Sequence, residues 1–518
     1  VDTSDTANPS DTANPSDTAN TSDTADTPDT ADTSDSTVAA DADADAVTNP
    51  CDFGFVVVNG ACAPRWVQDA FVKASNTGRE DGFGASVAIS EDGSRLAVGA
   101  FSEASDAVGI GGDQTNDDAP GAGAVYVFAR TGTTWVQEAY VKASNSEAQD
   151  RFGTSVSLSA DGSRLAVGAI EEDSNATGVG GWQADNNGPN TGAVYVYLRT
   201  GTAWAQEAYV KASKGVGNFG TSVSLSADGS RLAVGARENV EVFVRAFGSA
   251  WVYEASLKAS NAQSEDMFGS SVSLSGDGSR LAVGANRESS NATGVGGDQN
   301  NDNAERSGAV YVFARAGSAW TQEAYVKAPN TGMADEFGAS VSLSFDGSRL
   351  AVGAPLESAN AAGVRGFDET GAVYTYARTG TTWAHEAYIK GSNSEPFDHL
   401  GTSVSLSADG NRLAVGAHRE ASSASGVSGD GADNSLYKAG AAYVFARVDS
   451  TWVQEAYVKA TNPGKNDEFG WSVSLSADGN VLATGARFES SNATGINGDE
   501  TSDSAIPSGA AYVFSTRD

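Results

Sequence analysis

The sequence has no apolar run long enough to make a membrane-spanning helix; runs such as FVVV at 55–58 fall far short. Cations are scarce, with 32 Lys and Arg against 67 Asp and Glu and a net charge of −35. Nucleic acids and anionic membranes both require a basic surface, so neither is expected as a partner. Histidine occurs three times, at His385, His399 and His418, and the three fall at different places in the repeats described below. No Ser or Cys lies in a nucleophile motif and no loop has the pattern that cradles phosphate, so no enzyme is expected.

Cysteine occurs only twice, at Cys51 and Cys62, in CDFGFVVVNGACAP. The pair brackets a hairpin with an Asn59-Gly60 turn, and residues 51–64 are read as a small unit of their own. A disulfide closing this loop would contribute roughly 3 kcal/mol and points to an oxidising setting, secreted or at the cell surface. Two free thiols are the alternative. Residues 1–50 have no Lys, Arg or aromatic residue and carry twelve Asp among Thr, Ser, Ala and Pro. Such a tract buries too little apolar surface to offset its ordering entropy, and it is expected to be a disordered acidic tail. The chain opens at Val1 with no apolar leader segment, so export is not read from a signal.

What the sequence has in abundance is repetition. FGTSVSLSADGSRLAVGA at 152–169 returns in close copies whose first residues are Phe83, Phe152, Phe219, Phe268, Phe337, Leu400 and Phe469. A second phrase, WVQEAYVKAS, starts at Trp66, Trp135, Trp204, Trp251, Trp320, Trp383 and Trp452, and a third, GAVYVFAR, recurs at 123–130, 192–199 and 308–315. Each unit thus holds four short segments of strand character, opening on Trp, FG, RLAVGA and GAVYVF. A tight Asp-Gly turn joins FG to RLAVGA, and another short turn joins GAVYVF to the next Trp segment. The RLAVGA–GAVYVF link is long and rich in Gly, Asn, Asp and Ser, except in the third unit.

Seven four-stranded antiparallel units predict an all-β, seven-bladed β-propeller over 65–518. The chain opens on a Trp segment and its last unit lacks one. Residues 66–74 are therefore expected to pair with 509–514 and close the ring.

The phrases FG…SV…DG…LAVGA and GAVYVF resemble the FG-GAP repeat of the integrin α-subunit head, over residues 66–518. The resemblance implies a propeller that binds its ligand on one face. It departs from the family in the hairpin: the calcium loop of integrin-type blades carries several carboxylates, whereas LSADGSRL has one. Asp92, Asp161 and Asp277 are accordingly read as turn residues, since calcium takes six to eight oxygen ligands.

In an up-and-down blade the long loops and the Trp–FG links share one face, and acids gather there. Asp81, Asp150, Asp266, Asp335, Asp398 and Asp467 stand two residues before FG. Glu103, Glu172, Glu238, Glu288, Glu357, Glu420 and Glu489 follow RLAVGA. The long loops add GGDQTNDD (111–118), GGDQNNDN (296–303), SGDGADNS (428–435) and NGDETSDS (497–504). Two readings stand: turn capping by Asp and Asn, or calcium held by loop oxygens. The calcium set is Asp298, Asn300 and Asp302 with Glu288 or Asp266, and by analogy Asp113, Asp117, Asp499 and Asp503.

The function expected is a monomeric, non-catalytic binding or adhesion module. Its long-loop face would take a protein or glycan ligand, with calcium as a stabilising ion. An envelope spacer and an enzyme with a central-channel site are the alternatives.

Overall fold

The computed structural model describes residues 55–58, 61–246, 250–359, 366, 368–502 and 506–517. All belong to one compact unit, Asn49–Asp518. The tract 1–50 lies outside the described residues, as do Cys51 and with it the expected Cys51–Cys62 bridge.

Every regular element among the described residues is a β-strand, and the strands form seven antiparallel sheets arranged as the blades of a ring. In blade one the order from the centre outward is Phe83–Ile89, Arg95–Ala100, Ala124–Thr131 and Thr134–Val141. The FG strand is innermost and the Trp strand outermost, so each Trp strand completes the blade begun before it. In blade seven the outer strand comes from the other end of the chain. Arg65 pairs with Arg517, and the register runs to Val72 opposite Ala511. The expected closure is what the structure has. The 55–58 segment pairs with 61–64, and the strand Ala61–Val72 continues unbroken, which adds a fifth strand to this sheet.

The core lies between blades. Leu96, Val98 and Ala100, with Tyr126 and Phe128, pack against Val481, Ala483 and Val513 of blade seven. Ala97, Val125 and Val127 on the opposite side pack against Phe152, Leu165 and Tyr195 of blade two. Alternation along RLAVGA thus gives every blade one large-residue and one small-residue face, and both are buried because each sheet has two neighbours. Burying one such Leu or Phe fully contributes about 1.5–3 kcal/mol.

Near the axis the blades approach too closely for side chains. A Cβ on Gly99 would sit 2.1 Å from the Gly153 carbonyl oxygen. Ser86 Oγ donates to that oxygen at 2.8 Å, and Ser472 Oγ donates to Gly84 O at 2.9 Å across the closure.

The hairpins close a belt around the axis. Glu91 N–H donates to Ala160 O, Ala160 to Ala227, Ala227 to Gly276, Phe345 to Ala408, Ala408 to Ala477 and Ala477 back to Glu91, at 2.8–3.0 Å. At the remaining link the donor moves one residue, Asp277 N–H to Phe345 O at 3.4 Å. Phe345 replaces Ala there, and its ring fills the space a Cβ at Gly276 would need, 2.2 Å away.

On the outer side of the hairpin face a carboxylate links neighbouring blades. Glu138 of blade one receives Arg199 of blade two and Trp204 Nε1 at 3.1 Å. The hairpin Asp residues are turn caps as expected: Asp277 Oδ1 accepts from Ser279 N–H at 2.9 Å and Ser275 Oγ at 2.6 Å.

Candidate binding face

On the opposite face the glutamates after RLAVGA and the lysines of the Trp strands form buried ion pairs. In blade four Lys327 Nζ lies 2.8 Å from Glu288 Oε2, and the side chains are 0 % and 2 % exposed. Tyr325 OH and Asn261 Nδ2 donate to Glu288 Oε1 at 3.0 and 3.1 Å. Tyr311 OH in turn donates to Asn261 Oδ1 at 2.5 Å. Burial pulls the Lys327 ammonium below its ordinary range, and Glu288 pulls it back up. The same pair recurs as Lys73–Glu489, Lys142–Glu103, Lys211–Glu172, Lys390–Glu357 and Lys459–Glu420.

Blade three differs. Glu238 follows RLAVGA one residue early, and both it and Lys258 are exposed. Glu241 is buried in its place and accepts Ser213 N–H at 2.9 Å and Ser213 Oγ at 2.7 Å.

The acids expected to hold calcium lie in several environments. Asp298 Oδ1 accepts from Asn300 N–H at 3.0 Å and Asn300 Nδ2 at 3.2 Å, an exposed turn cap. Asp113 and Asp499 do the same for the N–H of Thr115 and Thr501. Asp302 accepts from Gln263 Nε2 at 3.1 Å. Asp266 is buried and accepts from Gln263 N–H at 3.1 Å. Burial pushes its carboxyl up to about 6; the Gln263 N–H opposes this, while the Glu288 and Asp302 charges add to it. Asp117 plays the same charge role beside Asp81. Asp503 lies outside the described residues. Among the described residues no three His, Cys, Asp or Glu side chains converge as a metal group would require. In this conformation Asp298 caps its own turn and Glu288 is paired with Lys327.

The ring mouth on this face carries a set of residues that sequence reading passed over. The residue before FG has a left-handed backbone in all seven blades: Gly82 (φ 68°), Arg151 (56°), Asn218 (59°), Met267 (59°), Glu336 (54°), His399 (58°) and Glu468 (56°). Gly82 suits that conformation and Asn218 tolerates it; the other side chains there cost about 1–2 kcal/mol. Six blades nonetheless keep a side chain, of five kinds. The residue after RLAVGA also varies, with Arg alone repeated: Phe101, Ile170, Arg237, Asn286, Pro355, His418 and Arg487. The conformation recurs in every blade and belongs to the repeat; the variety of side chain at it is not required by the architecture.

The richest part of the mouth lies between blades six and seven. The His399 and His418 rings are 5.3 Å apart, and His418 meets Trp471 edge-on at 4.9 Å. The Arg487 guanidinium lies over Trp471, 3.2 Å from the ring centre, and its Nε donates to Glu468 Oε2 at 2.8 Å. Lys438 Nζ stands 3.8 Å from Glu468.

Arg419 Nη1 donates to His399 Nε2 at 3.3 Å. Glu369 lies 3.4 Å from the same nitrogen, a contact that is an ion pair only if His399 is protonated. Burial, then the Arg419 and Lys438 charges, hold His399 down at about 4, so the Arg419 bond is the operative one. Thr402 Oγ1 donates to His399 O at 2.8 Å, which assigns the Nδ1 proton to His418, 2.8 Å from the same hydroxyl. His385 is elsewhere, on an outer strand beside Tyr376. The usable signal in the sequence was a column of unlike residues inside an otherwise uniform repeat.

A family model described as the FG-GAP repeat matches residues 66–128, 135–197, 251–313, 320–376 and 452–514. The intervals left between matches contain the third unit, with its missing loop, and the unit in which Leu400 replaces Phe. No curated protein matches the chain.

Proposed function

Starting from a chain that belongs to the FG-GAP repeat family, we propose a non-catalytic binding or adhesion module, secreted or displayed at the cell surface, whose ligand meets the long-loop face. The asymmetry of the two faces carries this reading. The hairpin face is a uniform belt of backbone bonds and repeated Arg–Glu–Trp clamps. The long-loop face holds the two columns at the ring mouth where most blades carry different residues. A fold needs the first face in every blade, whereas variety on the second is explained by a ligand that contacts each blade differently.

The test immobilises the full chain and measures retention of defined cell-surface glycans and proteins. Retention should fall when the blade-four loop 296–303 is shortened and persist when exposed hairpin residues such as Ser279 are changed. Equal retention in both variants refutes the assignment of the face, and no retention by the wild type refutes the binding reading.

A further inference from the structure

The group at the mouth between blades six and seven gathers three cations, with the carboxylates Glu468 and Glu369 beside them. Arg419, Arg487 and Lys438 converge there in a chain of net charge −35. Both Arg487 and Lys438 contact a single carboxylate, Glu468. Arg419 makes no ion pair with any described residue, and its buried Nε has no acceptor. The imidazole beside it offers no negative charge, and Glu369, 3.4 Å from the same imidazole nitrogen, is not within ion-pair distance of Arg419. A guanidinium whose fork is only partly used, with two further cations nearby, lacks one component: an anion, best a planar carboxylate able to take two parallel N–H bonds.

Exposed aromatic rings stand on the same two loops. Tyr437 is 57 % exposed and adjoins Lys438, whose Nζ lies 5.4 Å from the ring centre; Phe397, two residues before His399, is 53 % exposed. The two residues flank blade six: Asn466 N–H of blade seven donates to Tyr437 O, and Phe397 N–H donates to Asp368 O of blade five. Exposed aromatic rings suit the C–H faces of a sugar ring, and neighbouring cations suit its acid group. An acidic peptide would use the cations but has less need of two open rings.

We propose that this mouth is a binding site for an acidic saccharide, with Arg419 receiving the uronate carboxylate and Tyr437 and Phe397 packing against the sugar rings. The proposal rests on the binding-module reading and narrows it to one site and one ligand class.

Calorimetric titration of the full chain with trigalacturonate tests it, with a neutral trisaccharide of the same size as comparison. Trigalacturonate should bind and the neutral sugar should not. Arg419→Gln should weaken binding by about 10- to 100-fold, the range for losing a charged hydrogen bond, and Lys438→Gln should weaken it less. Lys258→Gln, at an exposed cation of blade three, should leave it unchanged. Thermal melts of each variant check that the fold is retained.

Undiminished binding by Arg419→Gln, or no binding by the wild type up to about 10 mM, overturns the proposal. Binding of a poly-glutamate peptide in place of the saccharide also overturns it. If the immobilised chain still retains a ligand through its long-loop face while trigalacturonate fails, only the site assignment falls. If it retains nothing, the binding-module reading falls as well.

Discussion

The indole N–H of Trp135 has no acceptor, and the residue standing where its acceptor would be is Asp69. In five other blades a glutamate at this place takes the neighbouring indole: Glu138 from Trp204, Glu207 from Trp251, Glu254 from Trp320, Glu323 from Trp383 and Glu455 from Trp66. Asp69 is one methylene shorter, and both its oxygens are taken, by Arg130 at 2.8 Å and Arg517 at 2.7 Å. Trp452 is also unpaired, but Glu386 beside it keeps Oε2 unbonded, so a small rotation satisfies both.

Asp69→Glu should therefore stabilise the ring where its first strand closes it. The expected gain is about 1 kcal/mol, one net hydrogen bond to a buried donor. Urea unfolding of the single variant measures it; the corresponding Glu138→Asp should lose a similar amount.

Removing one member of a buried ion pair should cost far more. Glu288→Gln leaves the Lys327 ammonium, 0 % exposed, without its carboxylate, and a loss of about 3–5 kcal/mol is expected. Adding Lys327→Met should recover much of it. A double variant no more stable than Glu288→Gln would show that the pair is not the cause.

Stability should fall as pH rises through neutrality. Burial pushes Asp81 up to about 7; the Gly78 N–H bond opposes this and the Glu103 charge adds to it. Asp150 and Asp398 are also pushed to about 7 and Asp266 to about 6, in each case chiefly by burial. The ordinary value is 3.8, so the folded state holds these protons more tightly than the unfolded chain does. Their contribution is complete below about pH 4 and is lost as pH climbs through 7, on the order of a few kcal/mol in total. Unfolding at pH 5 and pH 8 should show the difference, and Asn at 81, 150 and 398 should flatten it.

The conformation described above predicts equal melting temperatures in calcium and in chelator, because Glu288 is held by Lys327 and Asp298 caps its own turn. A rise with calcium that Asp298→Ala with Asp302→Ala abolishes, and Asp277→Ala does not, would restore the loop-ion reading.

The ring was legible because seven copies of a period-two pattern leave few other ways to bury both faces of a sheet. Its closure followed from one missing Trp strand. The Lys327–Glu288 pairing was hidden because the partners belong to different phrases, 39 residues apart. Each phrase read alone showed only a repeated lysine and an acidic face. Glu238 was counted with the other glutamates although it stands one residue early, in the short link between the strands Arg231–Gly235 and Val240–Arg245. The histidines were judged one at a time, and nothing local to 399 or 418 announces Trp471 or Arg487 in the next blade.

The belt of hairpin amides has a further consequence. Each link is a step of nearly fixed length, so the belt has a set girth. An eighth unit would add a step and change every angle between blades at once. Loss of loop residues leaves the girth alone: the third repeat, from Phe219 to Phe268, is much the shortest, yet Ala227 hands its link on to Gly276 at 2.9 Å. The molecule counts its repeats without measuring them. Its loops can therefore change in length and content, blade by blade, around a frame that does not register the change.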